Sequence, residues 1–371
     1  MSKIKILEII GDSSLAGAPR HLLSIIENLD LEKFEIHVIC PPGPLAGEIK
    51  ELRRHIDLDS IPMRSRLDFK AIKQIRRQIR HLKPDLIHIH GTRAGSLGRL
   101  AAIGFNIPVI YTEHLWTKNF RLANRFLHFF HHIANWFFDL FTTLNIAVSN
   151  AVKDFLVDSN ISYNEKVKVI YNGIEPLKSQ AKVLSGEEIT IGTVATLNKN
   201  KGVQYLIRAW PRVLNEFPQA RLEIIGDGPY KEALVKEVKK RKLQKHISFS
   251  GFLPDLEKEL AKLDIYVQPS LSESFGLAIV QAMSVGLPII ATNTGGIPEV
   301  VTDNKSGLLV EPAKPKALGL AILDMLKNKE KTRKMGEMAR KEATVRFNLK
   351  DMIKELEGTY EAVVQNPVFP K

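Results

Sequence analysis

Residues Asp264–Glu299 read DIYVQPSLSESFGLAIVQAMSVGLPIIATNTGGIPE. The apolar run up to Pro269 is a strand. A polar loop carrying Glu273 follows, and a helix begins near Gly276, with Gln281 further along it. A second strand, Pro288–Thr292, ends in Thr294-Gly295-Gly296, and Pro298 opens another helix. Strand, helix and parallel strand in about 30 residues make a βαβ unit, so the sheet is parallel and covered on both faces. Helix N-termini present unpaired N–H groups and a partial positive charge, so the turn Ser274-Phe275-Gly276-Leu277 is suited to phosphate or sugar oxygens. A carboxylate just before that turn, Glu273, is suited to sugar hydroxyls.

The same alternation runs through the whole chain. Strand-like runs are expected at Lys5–Ile10, Glu35–Ile39, Asp85–His90, Pro108–Thr112, Asn145–Val148 and Val167–Tyr171. A second series lies at Ile189–Val194, Arg221–Ile225, Ile247–Ser250, Asp264–Gln268, Pro288–Thr292 and Gly307–Val310. Helical spacing such as Leu22, Leu23, Ile26, Leu29 falls between them. Two series of about 170 residues predict two doubly wound α/β domains. The polar stretch Glu175–Lys182 after Asn172-Gly173 is the expected linker. Ligands of open parallel sheets bind beyond the carboxyl ends of the strands, so a cleft between two such domains is the expected site.

Composition narrows the class. Of 371 residues, 44% are apolar and 25% charged, as in ordinary globular proteins. One cysteine, Cys40, excludes an intrachain disulfide and a cysteine zinc cage. No 18-residue uncharged apolar run occurs, and Glu8 interrupts the short apolar start, so neither a spanning helix nor a signal peptide is expected. Lys and Arg number 53 against 41 Asp and Glu, a net +12. Residues 64–83 concentrate +7 of it, which favours anionic partners. Residues 116–141 hold nine of the 27 aromatics, with Phe126, Phe130, Ile133, Phe137 and Phe141 at helical spacing opposite Arg121, Arg125, His128, His132, Asn135 and Asp139. The two segments together predict a peripheral contact with an anionic membrane, against the plainer reading of solvated and core-packed helices.

Other loops carry candidate chemistry. Gly11–Gly17 joins the first strand to a helix with Pro19 in its first turn, a phosphate-accepting arrangement. Gly192–Gly202 places Lys199 and Lys201 beyond a strand, where a lysine neutralises a leaving diphosphate. Asp57-Leu-Asp59 spells a metal–sugar motif by chance. His88-x-His90 puts two imidazoles on one strand face without a third ligand identifiable from sequence. Gly226-Asp-Gly-Pro229 is a tight strand-to-helix turn.

In order, these pieces resemble family-4 retaining glycosyltransferases of the GT-B fold. The matching motifs are AGAPR (Ala16–Arg20), PDLIHIHG (Pro84–Gly91), PVIYTEH (Pro108–His114), AVSNAVKDFL, VIYNGIEP, KGVQYLIRAW, LEIIGDGP, FSGFLPD, an E-x7-E-like segment and TGGIPEVVTDNKSGLLVEP. The resemblance covers about residues 1–345. It implies α/β architecture with two Rossmann-like domains: 1–177 on the acceptor side, 178–346 for the nucleotide-sugar, and 347–371 as a helix crossing back to the first. It implies hexosyl transfer from a nucleotide-diphospho-sugar, UDP-sugar being the commonest donor, to a lipid-linked or cell-surface glycan. The setting would be polysaccharide or lipopolysaccharide biosynthesis in the cytoplasm, at the inner membrane face. No cofactor, metal or nucleic acid is expected.

Carried over, Glu273 contacts donor sugar hydroxyls, Ser274, Phe275, Gly276 and Leu277 supply the amide turn, and Lys201 holds the diphosphate. Backbone at Phe252 and Leu253 reads the base, Gly17 closes over the phosphates, and His114 lies near sugar and acceptor. Two positions depart from the family. Gln281 replaces the second glutamate, which binds ribose, and Thr196 stands where an arginine is frequent, leaving Lys199 or Arg20 to substitute. Glutamine loses charge-assisted strength, so weaker donor binding is expected. The other readings are a catalytically impaired nucleotide-sugar-binding protein and a nucleotide-sugar epimerase of the same fold.

Overall fold

The computed structural model describes residues 3–52, 56–115, 117–118, 125–186, 188–253 and 256–366, excepting the side chains of 125–129 and 131. The chain forms two compact units. One comprises residues 1–173 and 349–371, the other residues 174–348.

The first unit runs β1 (Ile4–Ile10), α1 (Gly17–Asn28), β2 (Phe34–Cys40), α2 (Pro44–Glu51), β3 (Asp57–Ser60), α3 (Phe69–Leu82), β4 (Leu86–His90), α4 (Gly91–Ala102), β5 (Val109–Glu113), α5 (Arg125–Asp139), β6 (Leu144–Ala147), α6 (Asn150–Asp158) and β7 (Val167–Val169). The strands form a parallel sheet in the order β3-β2-β1-β4-β5-β6-β7. The order reverses between β1 and β4. The second unit runs β8 (Thr190–Val194), α7 (Val203–Glu216), β9 (Arg221–Ile225), α8 (Lys231–Lys240), β10 (Ile247–Gly251), α9 (Leu256–Ala261), β11 (Ile265–Gln268), α10 (Leu277–Ser284), β12 (Ile289–Thr292), α11 (Ile297–Val300), β13 (Gly307–Val310), α12 (Pro315–Lys327) and α13 (Lys329–Arg346). Its sheet order is β10-β9-β8-β11-β12-β13, reversing between β8 and β11. The last helix, α14 (Leu349–Gln365), belongs to the first unit.

Near-continuous apolar strands explain both cores. Ile6, Ile10 and Leu86 face α1 and α14, where Leu22, Ile26, Ile353 and Leu356 are buried. Leu7, Ile9, Ile87 and Ile89 point the other way, onto Ile75, Ile79 and Leu97 of α3 and α4. In the second unit, Ile191, Leu222 and Ile224 meet α7 and α12, with Trp210 fully enclosed. Helix starts follow local chemistry: Asp68 accepts a bond from Ala71 N–H at 3.1 Å, and Ser149 from Val152 N–H at 3.2 Å.

Three segments singled out in the sequence gain structural detail. Asp57-Leu-Asp59 is the edge strand β3, whose half-exposed alternation hides it among apolar runs. His37 of β2 bonds Asp59 at 2.9 Å, so these carboxylates serve the sheet edge. The basic helix α3 buries only Ala71, Ile75 and Ile79, leaving Lys70, Lys73, Arg77 and Arg80 in solvent. In α5 the polar face turns inward and the aromatic stripe outward. Asp139 is buried, bonded to Asn145 at 2.6 Å and Lys166 at 3.1 Å, while Phe130, Ile133, Trp136 and Phe137 are exposed. The apolar stripe is therefore not core. Trp116, Phe120 and Arg121 lie outside the described residues, as do the side chains of Arg125, Phe126, His128 and Phe129. Among the described residues, no helix is long and apolar enough to cross a membrane.

Because α14 completes the first core, Leu356→Ala should cost about 2–5 kcal/mol. A urea titration of the full chain should show a lower midpoint for the transition that reports the first unit.

Candidate functional site

In the second unit the site begins with a loop contact. Asn198 caps the turn after β8, its Oδ1 accepting bonds from the N–H of Asn200 at 2.9 Å and Lys201 at 3.2 Å. Gly202 then adopts φ +68°, and a Cβ there would lie 1.8 Å from the Pro269 carbonyl oxygen. Only glycine lets the β8 loop press onto the β11 loop. That contact brings Lys201 Nζ to 2.9 and 2.7 Å from the two oxygens of Glu273. The pair sits where the strand order reverses, the usual ligand position in open α/β sheets.

Glu273 is held from behind by a buried, one-directional chain. The Tyr266 hydroxyl donates to Gln268 Oε1 at 2.7 Å, and Gln268 Nε2 donates to Ser270 Oγ at 2.8 Å. Ser270 in turn donates to Glu273 Oε2 at 3.1 Å. Burial pushes the Tyr266 phenol up, so it remains a donor. Gly296 N–H donates to the Glu273 carbonyl at 3.0 Å, tying in the loop after β12.

Gly276 starts α10 at φ +99°, where a Cβ would lie 2.8 Å from Ile279 Cδ1. The Phe275 ring is buried edge-on against Phe347 at 5.4 Å, so its side chain does not face a ligand. Ser274 and Leu277 flank this turn, and Gln281, partly exposed, lies one turn along α10. Thr196 and Lys199 are exposed beyond β8, and Phe252 and Leu253 follow β10. All these residues stand on one edge of one sheet. Lys201 and Glu273 bond to each other, and with Gln281 in place the E-x7-E pattern itself is incomplete.

The first unit has its own cluster at its own reversal point. Gly17 is exposed at the start of α1, and Arg20 Nε is engaged by the Leu15 carbonyl at 2.9 Å. His114, just beyond β5, has Nε2 3.4 Å from His90 Nδ1, and His21 of α1 packs against it with ring centroids 5.0 Å apart. Behind them Glu8 is wholly buried. Its Oε2 lies 2.7 Å from His90 Nε2 and its Oε1 accepts from the Tyr360 hydroxyl of α14 at 3.0 Å. His88 joins the network through Tyr360 at 2.6 Å and Thr112 at 2.7 Å. Burial pushes the Glu8 carboxyl up, but His88 and His90 outweigh it and hold the group well below the usual carboxylate range. Burial, with neighbouring imidazoles, pushes His90 down to about 4 and lowers His21 and His114 further from their ordinary value.

Sequence reasoning placed Glu273, Lys201 and His114, but missed Glu8, His21, Gln268 and Ser270. The signals were present. A glutamate inside an otherwise apolar strand, and polar residues ending DIYVQPS, are costly unless partnered.

Comparison with known proteins agrees with this layout. The family model described as Glycosyltransferase Family 4 matches residues 15–177, and that described as Glycosyl transferases group 1 matches residues 175–342. The Escherichia coli UDP-Gal:alpha-D-GlcNAc-diphosphoundecaprenol alpha-1,3-galactosyltransferase is 28% identical over 84% of this chain and 84% of its own. The uncharacterized glycosyltransferase MJ1178 of Methanocaldococcus jannaschii is 31% identical over 75% of each. With the N-acetyl-alpha-D-glucosaminyl L-malate synthase of Bacillus anthracis, 28% identity spans 59% of this chain and only 60% of the relative. The crystal structure of Anabaena Alr3699/HepE in complex with UDP superposes with a TM-score of 0.82 at 22% identity, covering 97% of this chain and 100% of that one. Two parallel Rossmann-like sheets, two consecutive family matches and a relative above 30% identity agree: this chain belongs to the family-4 glycosyltransferases and has the GT-B fold.

Proposed function

We propose that this chain transfers a hexosyl unit, with retained anomeric configuration and without a metal ion, from a UDP-sugar to a lipid-linked or cell-surface glycan. The Lys201–Glu273 pair carries the reading. The ammonium and carboxylate neutralise each other. A diphosphate entering at the α10 N-terminus draws Lys201 away, and Glu273 is released to accept bonds from the sugar hydroxyls. Donor binding thereby exchanges one ion pair for two ligand contacts.

The chemistry follows from charge. Cleaving the sugar–phosphate bond develops positive charge at the anomeric carbon and negative charge on the diphosphate. Lys201 and the amides of Phe275, Gly276 and Leu277 stabilise the latter. The leaving phosphate oxygen takes the acceptor's proton on the same face, so no protein nucleophile is needed. The sheet edge suits a long donor. β10 lies three strand spacings from β11, about 14 Å at about 4.8 Å each. Phe252 and Leu253 thus take the base while Glu273 takes the sugar. Gln281 meets the ribose, and Lys199 supplies the cation absent at Thr196. Gly17 and His114 of the first unit keep the roles that the family resemblance gives them, toward phosphate and acceptor.

The activity of the E. coli relative and the UDP bound in the HepE structure support a UDP-sugar donor, and the former supports a lipid-linked acceptor. The exposed stripe Phe130, Ile133, Trp136 and Phe137, with the basic face of α3, is read as the contact with an anionic membrane. Both helices adjoin α4. We place the protein in the cytoplasm on that surface.

Glu273→Gln should lower transfer by about 100-fold or more. Calorimetry should show it binding free UDP more tightly than the wild type, because Lys201 is no longer occupied. Weaker UDP binding would remove the competition from the mechanism. Ser270→Ala should reduce kcat with little change in donor KM and lower stability by about 1–3 kcal/mol, since Gln268 loses its acceptor. An unchanged kcat would show that the chain behind Glu273 does not position it. In liposome co-sedimentation, Phe130→Asp with Phe137→Asp should reduce binding to anionic vesicles. Equal binding to neutral vesicles, or no loss in the double variant, contradicts the membrane contact.

A further inference from the structure

Glu8 is a carboxylate in the middle of an apolar strand, wholly buried, and the transfer chemistry set out above gives it no part. A charge is tolerated in such a place only when its partners are all in position. We propose that Glu8 is a positioning residue for transfer: acting through His90, it fixes His114 in the tautomer that carries its proton on Nε2, so that the ring accepts a substrate hydroxyl at Nδ1. This deepens, and rests on, the role given to His114 above.

The direction of every bond follows from Glu8, because an ionised carboxylate only accepts. Its Oε2 takes the His90 Nε2 proton at 2.7 Å, and its Oε1 takes the Tyr360 hydroxyl proton at 3.0 Å. Tyr360, its one proton committed, accepts from His88 Nδ1 at 2.6 Å, and Thr112 donates to His88 Nε2 at 2.7 Å. Burial, with His88 beside it, pushes His90 down to about 4, so near neutral pH that ring has one proton, on Nε2, and a lone pair on Nδ1. The lone pair faces His114 Nε2 at 3.4 Å, a long contact that is attractive when His114 carries the N–H. His21 packs against the same ring, centroids 5.0 Å apart, and restrains it from turning over. Glu8, His90 and His114 stand on or just beyond the adjacent strands β1, β4 and β5, so strand order sets the relay.

The tautomer matters for the chemistry. Positive charge develops at the anomeric carbon, and an imidazolium nearby would oppose it. Burial, with His21 and His90 close by, lowers His114 from its ordinary value and keeps it neutral. A neutral ring with its lone pair on Nδ1 accepts from a sugar or acceptor hydroxyl. The opposite tautomer would present an N–H there, which suits a phosphate oxygen instead.

The test combines histidine spectra with kinetics on the full chain. In protein labelled with nitrogen-15 histidine, the His90 and His114 signals, assigned by their loss in His90→Gln and His114→Ala, should each show a neutral ring protonated at Nε2. Glu8→Leu accepts from neither Tyr360 nor His90. In it the His114 signal should leave that pattern, and kcat should fall by about 10- to 100-fold with donor KM within about twofold. Leu356→Ala loosens the same core but removes no hydrogen bond. At a temperature where thermal melts show it folded, its histidine pattern and kcat should match the wild type, which separates positioning from stability. If Glu8→Leu does not fold, Glu8→Gln, with one accepting oxygen in place of two, takes its place. A wild-type His114 protonated at Nδ1, or on both nitrogens, overturns the proposal. So does a folded Glu8 variant with unchanged kcat. Full transfer by His114→Ala would instead remove the role given to His114, while the wild-type spectrum still reports whether Glu8 sets the tautomers.

Discussion

The second unit is organised around an ammonium and a carboxylate held 2.7 Å apart at the rim of a parallel sheet. Lys201 and Glu273 come from loops 72 residues apart in sequence. They meet because Gly202 can lie against the Pro269 carbonyl, and because β8 and β11 are neighbours only through the reversal in strand order. A side chain at Gly202 would separate the loops. The ion pair therefore depends on backbone approach as much as on charge. Its modest exposure matters as well: a fully sheltered pair would be hard for a ligand to open, and a fully exposed one would be weakened by solvent.

Both units repeat one physical scheme. In each, polar side chains gather where the sheet order reverses, and a buried hydrogen-bonded chain fixes them from beneath. In the second unit the chain is Tyr266, Gln268 and Ser270. In the first it is Tyr360, Glu8 and His88. Buried polar groups of this kind are stable only when every member is satisfied, which rigidifies the groups at the rim. The first network also explains why α14 belongs with residues 1–173: Tyr360 delivers its hydroxyl to Glu8 and His88 inside a core that Ile353 and Leu356 help to close.

How much of this was legible in the sequence varied with the physics. Strand positions were readable wherever both sheet faces are covered, because such strands are nearly continuous apolar runs. β3 escaped because it is a short edge strand with alternating polarity. Periodicity showed two faces on α5 without saying which one meets protein; the structure turns Asp139 inward to Asn145 and Lys166 and leaves the aromatic stripe outside. Glu273 and Lys201 were placed by motif, whereas Glu8 and Ser270 needed their partners to be seen.

The sequence alone determined the alternation of strands and helices, the division into two parallel-sheet units and the loops in which chemistry resides. Those features are local: hydrophobic period, turn residues and helix starts act over a few residues. Tertiary structure decided that Lys201 bonds Glu273, that His21, His90 and His114 converge, and that the aromatic stripe of α5 faces solvent. Each of these depends on strand order and on loop contacts between distant segments, which no local pattern encodes.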